Sequence, residues 1–293
     1  MKNNLRESLK HIAHGKLEPV AKLIFNIIAL LERVYFQCRY RLKNKNNLSQ
    51  EDIKEVEENV TFMFKSFERQ KLAKRLYKSI RKFYPNAHII IADDSSLPFS
   101  LKDNHLTVLQ LPFNSGLSYG LNRALREVET PYLMKLDDDC LLTQRSDIAG
   151  QLSFLNHHKE IDLVGFGILS FIRCQSPMKD FIKYFQESMY RAPKPLKIPH
   201  MTQIDRTHIV VGKPPNIFLA RTDKVREVGW DDNIRMMDHK EFFIRAAGNL
   251  AATIAADTVI FHCHNPFDRK YQKYRQDVEG DRAYIRKKYA KFH

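Results

Sequence analysis

A chain of 293 residues with 43% hydrophobic and 28% charged residues, 10 glycines and 12 prolines has the make-up of an ordinary globular protein, which excludes collagen-like, low-complexity and disordered classes. Lys and Arg number 48 against 34 Asp and Glu, a formal +14, so the expected partner is anionic: nucleic acid, acidic lipid, polyanionic glycan or a phosphate-bearing small molecule. The excess sits at the ends, with ten basic and three acidic residues in 1–45 and nine and four in 266–293. Cys38, Cys140, Cys174 and Cys263 form no C-x-x-C pair, which leaves a zinc ribbon or redox dithiol unsupported and favours a reduced compartment. No apolar run follows Met1-Lys2-Asn3-Asn4, and the nine residues of Leu23–Leu31 fall short of the roughly 20 that cross a bilayer. The expectation is a cytoplasmic protein that spans no membrane.

In chain order, residues 17–42 show a helical period. Leu17, Val20, Leu23, Ile24, Ile27, Ile28, Leu31 and Val34 share one broad face, with Lys16, Lys22, Arg33, Arg39 and Arg41 at its edges and ends. Two readings stay open: a helix packed on the body or on a twin subunit, and a basic amphipathic helix resting on anionic lipid. The polar, Asn-rich run from Lys43 to Gln50 predicts a boundary. It separates an N-terminal basic helical segment (1–50) from the main domain (51–265), and the basic residues after that domain are expected to form a C-terminal helical tail (266–293). From Val60 strands and helices alternate: a strand at 60–64, a helix over 68–84 stopped by Pro85, and a buried strand at 88–92. A strand at 106–111, a helix at 118–128 and a strand at 132–136 continue the pattern. The spacing therefore predicts an α/β fold whose mostly parallel sheet is flanked by helices.

Ligands on such sheets sit beyond the carboxyl ends of the strands. One strand runs into Asp93-Asp94-Ser95-Ser96 and another into Asp137-Asp138-Asp139, which puts two acidic clusters on one rim. Adjacent carboxylates repel unless a cation or ordered donors offset the charge. In an extended chain Asp137 and Asp139 point the same way and face one ligand while Asp138 turns aside, an arrangement that suits Mg²⁺ or Mn²⁺ completed by phosphate oxygens. Asp93 and Asp94 either accept hydrogen bonds from a ribose or a pyrimidine N–H, or close the strand as an Asx turn. Further on, Thr258–His264 reads as a strand ending in His262 and His264, and one imidazole joining an oxygen-rich site suits Mn²⁺. Asp238, His239 and Glu241 open a helix that ends before Gly248; they serve the helix dipole or supply a general base.

The run HIIIADDSS (88–96), NSGLSYGLNRAL (114–125) and PYLMKLDDDC (131–140) resembles the nucleotide-sugar glycosyltransferases of the GT-A fold, the family 2 group and its relatives. Through NIFLARTDKVREVGWDD (216–232), HKEFFIRAAG (239–248) and DTVIFHCH (257–264) it is similar to the ganglioside-type β-1,4-N-acetylgalactosaminyltransferases. The resemblance implies a GT-A (Rossmann-like) fold and a DXD motif at Asp137 and Asp139 that holds Mn²⁺ or Mg²⁺, with His262 completing the metal shell. It implies donor contacts at Thr61, Lys65, Asp93, Asp94, Asn114, Gly116, Arg123, Asp137 and Asp138. The family's Glu-Asp-x-Glu pattern is broken at 238–241, so Asp238, His239 and Glu241 remain near equals for the base. Trp230 is a candidate to stack on an acceptor sugar or to fill the core.

The expected reaction is inverting transfer from a UDP-sugar to a glycan or glycolipid hydroxyl, with the basic ends in peripheral contact with an anionic membrane. The rivals are a nucleotidyltransferase or metal-dependent phosphodiesterase on the same acidic rim and a non-catalytic nucleic-acid binder. No P-loop or zinc-hydrolase signature supports the first rival and no nucleic-acid module the second.

Overall fold

A computed structural model describes residues 15, 17–43, 48–170, 192–263, 267–274 and 278–292. Helix α1 (Glu18–Lys43) comes first. Helix α2 (Gln50–Asn59) opens the main body with a capping box: Asp52 N donates to Ser49 Oγ, and Ser49 N donates back to the Asp52 carboxylate, both at 3.0 Å. The Asn-rich boundary thus ends where a new helix is capped.

The central layer is built from β1 (Val60–Ser66), β2 (Ile89–Asp93), β3 (Leu106–Gln110) and β4 (Tyr132–Asp137), with α3 (Gln70–Phe83) and α4 (Leu117–Arg126) as crossovers. These strands run parallel in the order β3-β2-β1-β4. The sheet continues through β8 (Phe218–Arg221), β6 (Leu163–Ser170), β9 (Ala252–His262) and the short β5 (Cys140–Leu141), while β7 (His208–Val210) pairs with the other end of β9. Strand β8 is antiparallel to both β4 and β6, β9 is parallel to β6, and β5 and β7 are antiparallel to β9. A mixed nine-stranded sheet results, mostly parallel as the alternating pattern predicted.

Both faces of this sheet are covered, which explains its near-continuous apolar strands. Phe62, Phe64, Ile89, Ile91, Met134 and Leu136 point into one layer with Leu76 and Ile80 of α3. Met63, Ile90, Ala92, Leu133 and Phe218 point into the other with Leu121, Ala124 and Leu125 of α4. Helices α5 (Ile148–His157), α6 (Thr222–Val228) and α7 (Asp238–Ala246) complete the flanks.

The C-terminal residues belong to this body instead of forming a separate tail. Helix α8 (Arg269–Tyr274) brings Tyr271 and Tyr274 to the carboxyl-end rim. Helix α9 (Glu279–Lys288) packs Ile285, with Tyr289 just beyond, on Ile234 and Ile244. The buried carboxylate of Asp281 accepts from three successive backbone N–H groups, Arg235 at 3.1 Å, Met236 at 2.7 Å and Met237 at 2.9 Å. The few apolar side chains of this basic segment dock it on the body. Hydrogen bonds to a charged acceptor contribute more than neutral ones, so Asp281→Ala is expected to lower stability by about 2–4 kcal/mol. Denaturant unfolding measures this, and a change below about 0.5 kcal/mol contradicts the clamp.

Candidate active site

Parallel register sets the site. Lys65, near the end of β1, lies opposite Ala92 of β2 and Asp137 of β4, so the two acidic loops emerge on either side of one cation. Its ammonium donates to Asp94 Oδ1 at 2.5 Å. Burial lowers the Lys65 pKa, opposed by Asp94 and more weakly by Asp138 and Asp93. The stem of Lys65 passes Gly120 of α4, where a β-carbon would come within 2.8 Å of Lys65 Cδ. The other oxygen of Asp94 accepts from Ser115 Oγ and Gly116 N, each at 3.3 Å. Gly116 stands at φ +105°, a backbone region that side chains rarely adopt, and this turn brings its N–H to the carboxylate.

The two rims thus converge on one cavity of about 880 Å³, walled by Lys65, Asn114, Gly116, the three aspartates 137–139, the head of α7, His262 and α8. Asp138 and Asp139 do not divide as strand alternation predicted. Both are buried and both meet Arg69: Nε donates to Asp138 Oδ2 at 3.2 Å, Nη2 to Asp138 Oδ1, and Nη1 to Asp139 Oδ2 at 3.0 Å. The chain turns after β4 instead of staying extended, so the i, i+2 rule lapses there. The Arg69 guanidinium lies 3.8 Å from the centre of the Tyr271 ring, an arrangement that holds its plane. Burial pushes the Asp138 carboxyl up to about 7, with Arg69 opposing and Asp139 and Asp137 adding to the rise.

Pairing of β5 with β9 puts Cys140 opposite His262 and lets Cys263 N donate to Asp139 O at 2.8 Å. His262 Nε2 comes to 3.1 Å from Asp139 Oδ1. Burial opposes ionisation of Asp139, but His262 and Arg69 outweigh it and hold its carboxyl well below the usual range. Burial likewise lowers the His262 pKa, and its contact with Asp139 more than restores it. That Asp139 oxygen is buried and makes no well-aligned hydrogen bond, although the charges attract at this distance. Two ligands at right angles on a metal with ~2.1 Å bonds stand about 3.0 Å apart, so this pair fits one edge of a divalent-ion shell. Among the described residues no group of three or more His, Cys, Asp or Glu converges on a metal position; the remaining ligands would come from substrate and water. Asp137 does not complete the pair. It remains one-third exposed in the cavity, and its Oδ1 accepts from Lys135 Nζ at 2.6 Å. His264 lies outside the described residues.

At the head of α7 three acid–base candidates separate. Asp238 is buried at the cavity wall, with Asn216 Nδ2 donating to its Oδ2 at 3.3 Å. Burial raises its pKa, opposed by Lys135, with Asp137 adding to the rise. His239 also faces the cavity. Its Nε2 stands 2.8 Å from Pro214 O; a carbonyl only accepts, so Nε2 carries the proton and Nδ1 the lone pair. Burial, with Lys213 and Lys135, lowers its pKa to about 3. Glu241 points away and does not line the cavity: Oε1 accepts from Arg245 Nε at 2.7 Å, Lys288 Nζ at 2.8 Å and Tyr289 OH at 2.7 Å. It ties α7 to α9 and is corrected from candidate base to structural anchor.

Four further expectations are corrected. Thr61 sits at the amino end of β1, where its hydroxyl accepts from Thr130 Oγ1 at 2.8 Å, a full strand away from the rim. Asp93 is turned inward and accepts from Ser95 Oγ and Phe99 N, each at 2.5 Å, as a closing turn. Arg123 lies over the Tyr119 ring at 4.2 Å and does not line the cavity. Trp230 is 5% exposed, stacked on Phe242 with centroids 5.0 Å apart, and fills the core instead of meeting an acceptor. Sequence reasoning missed Arg69, Lys135, Asn216 and Tyr271. Arg69 follows a β1 carboxyl end, and Lys135 shares a strand face with Asp137, so both carried a signal; Asn216 and Tyr271 depend on tertiary docking.

His239 generates a pH test. In the unfolded chain its imidazole takes up a proton near 6.5, and in the folded chain only near 3, so its contribution to stability is present above 6.5 and is lost as pH falls toward 3. His239→Gln is expected to flatten the stability curve across that window in urea unfolding. An unchanged acid slope would show that this ring is not the neutral group described.

The pattern of Glycosyl transferase family 2 matches residues 62–229, more than half of the chain. The beta-1,4 N-acetylgalactosaminyltransferase 1 of Mus musculus is 30% identical over 247 residues, covering 78% of this chain and 45% of that protein. The Homo sapiens protein of the same name is 32% identical over 213 residues, covering 69% and 38%. The chain therefore spans less than half the length of these relatives. Among solved structures, S. aureus TarS 1-349 in complex with UDP-GlcNAc superposes with a TM-score of 0.52 at 13% identity over 73% of this chain and 60% of that one. The mannosyltransferase PcManGT from Pyrobaculum calidifontis, in complex with GDP-Man and Mn²⁺, gives 0.50 at 16% identity over 90% and 73%. At these identities the structures speak for the GT-A fold alone. By its matched pattern, and by its identity to named glycosyltransferases, the chain belongs to glycosyl transferase family 2.

Proposed function

We propose that this enzyme transfers a sugar from a UDP-sugar (UDP-GalNAc, UDP-GlcNAc, UDP-Gal or UDP-Glc) to a hydroxyl of a glycan or glycolipid, with inversion and with help from Mn²⁺ or Mg²⁺. The observation that carries this reading is one cavity that joins a buried, cation-paired aspartate cluster at 138–139 to a second buried carboxylate, Asp238, whose pKa is raised. The names of the relatives matched by sequence, N-acetylgalactosaminyltransferases, support transfer of a sugar.

Asp139 and His262 would hold the divalent ion, and a carboxylate with one imidazole favours Mn²⁺. When bound, the ion neutralises charge growing on the diphosphate leaving group. Arg69 and Lys65 add fixed positive charge to the same wall, preorganised by Tyr271 and Asp94. Asp238 accepts the proton of the acceptor hydroxyl as that oxygen attacks the anomeric carbon. Its elevated pKa suits a base better than His239, which at about 3 holds a proton too weakly near neutral pH. Lys135, fully buried between Asp137 and Asn216 O, keeps this corner from accumulating negative charge.

Thermal shift with a panel of nucleotide sugars, with and without Mn²⁺, tests the donor and the ion together. Stabilisation by one uridine-linked sugar that requires the ion, and that disappears in Asp139→Asn, is expected; equal shifts with every nucleotide, or an intact shift in the variant, contradicts the site. Separately, Asp238→Asn is expected to lower kcat by about 10²–10⁴-fold, whereas Glu241→Gln lowers the melting temperature and leaves kcat within about tenfold. Reversal of that order would return the base to Glu241.

A further inference from the structure

The apolar side of α1 faces away from the body. Leu23, Ile24, Ile27, Ile28, Leu31 and Val34 are 45–62% exposed, and at 100° per residue they form one continuous arc. Ala29 lies about half a turn round from the middle of that arc and is buried against Phe261 and Cys263. Phe25, toward the same side, meets Phe267 edge-on with ring centroids 5.3 Å apart. A helix recruited to fill the core of the body would turn the large residues inward, so folding of the chain leaves the arc unexplained. A transmembrane span does not explain it either: no described helix is long and apolar enough to cross a membrane.

Charge selects the occupant. Residues 1–45 hold ten Lys and Arg against three Asp and Glu, and the chain as a whole carries +14. Two copies meeting through α1 would bring two such segments together and repel. An anionic bilayer surface attracts each basic residue near it while accepting the apolar arc.

We infer that α1 is an interfacial anchor that lies along an anionic phospholipid surface, with the arc from Leu23 to Val34 at the boundary of the acyl chains. The helix is fastened to the body through Phe261 and Cys263, the neighbours of His262 in the cavity wall, so the anchor is joined to the strand that carries the site. Membrane contact can be read without sugar transfer, and it stands or falls independently of the proposed reaction.

The test is co-sedimentation of the full chain with sucrose-loaded vesicles of phosphatidylcholine, with or without phosphatidylglycerol. Wild type is expected to sediment with the phosphatidylglycerol vesicles, less so at high salt, and to stay in solution with phosphatidylcholine alone. The double variant Ile24→Glu, Ile28→Glu changes only exposed positions; its partition is expected to fall at least about tenfold with an unchanged melting temperature. Ile24→Leu with Ile28→Leu is expected to bind as wild type does. Three results would overturn the proposal: wild type that ignores anionic vesicles, a glutamate variant that binds them equally well, or a wild-type dimer in light scattering that the glutamate variant converts to monomer.

Discussion

Buried carboxylates at the end of β4 are tolerable only where cations offset them, and the rest of the site is arranged around that requirement. Asp138 and Asp139 are nearly excluded from water beside the partly exposed Asp137. In such surroundings adjacent negative charges raise one another's pKa or demand a partner. Arg69 meets two of them and Lys135 the third, while Lys65 serves Asp94 one strand over. Each cation comes from a strand or loop whose position the parallel register dictates. The sheet is therefore less a scaffold decorated with acidic loops than the means by which opposite charges are held at fixed separation. A site whose carboxylates are already paired with cations has those cations in place for an anionic ligand to share, which is the basis for the proposed diphosphate donor.

Geometry on the far side of the cavity depends on the end of the chain. Asp281 collects the backbone N–H groups just before Asp238, and Glu241 collects Lys288 and Tyr289 at the end of α9. Helix α7 is held at both points, so the carboxylate proposed as base is fixed relative to the acidic cluster by contacts outside the cavity. Positioning of this kind governs rate through small displacements. The C-terminal residues thereby connect local packing at Ile285 and Tyr289 to the position of Asp238.

Much of this was legible in the sequence, for identifiable reasons. The strands β1, β2 and β4 were readable because burial on both faces makes them largely apolar, and Asp94, Asp137, Asp138 and Asp139 were readable because loops at carboxyl ends face the ligand side. His262 was found as the end of an apolar strand. Side-chain direction was not legible once the strand ended: Asp138 was expected to turn aside and instead shares Arg69 with Asp139. Asp93, Arg123 and Trp230 fell in matching segments and Thr61 near the first strand, yet their own hydrogen bonds and packing hold them away from the cavity. Glu241 was a candidate base because it opens a helix in the family's acidic pattern, and neither its partners nor those of the basic C-terminal residues are visible in sequence. A salt-linked surface between two helices looks, residue by residue, like a solvated face until the partner helix is in place.

The central claim is that Asp139 and His262 form the protein's share of a cation site shared with a bound diphosphate. Anomalous diffraction at the manganese absorption edge, from crystals soaked with UDP and Mn²⁺, tests it most directly. The account predicts a peak in contact with both side chains and with the diphosphate. Well-defined UDP density with manganese bound elsewhere, or with none bound, would contradict it.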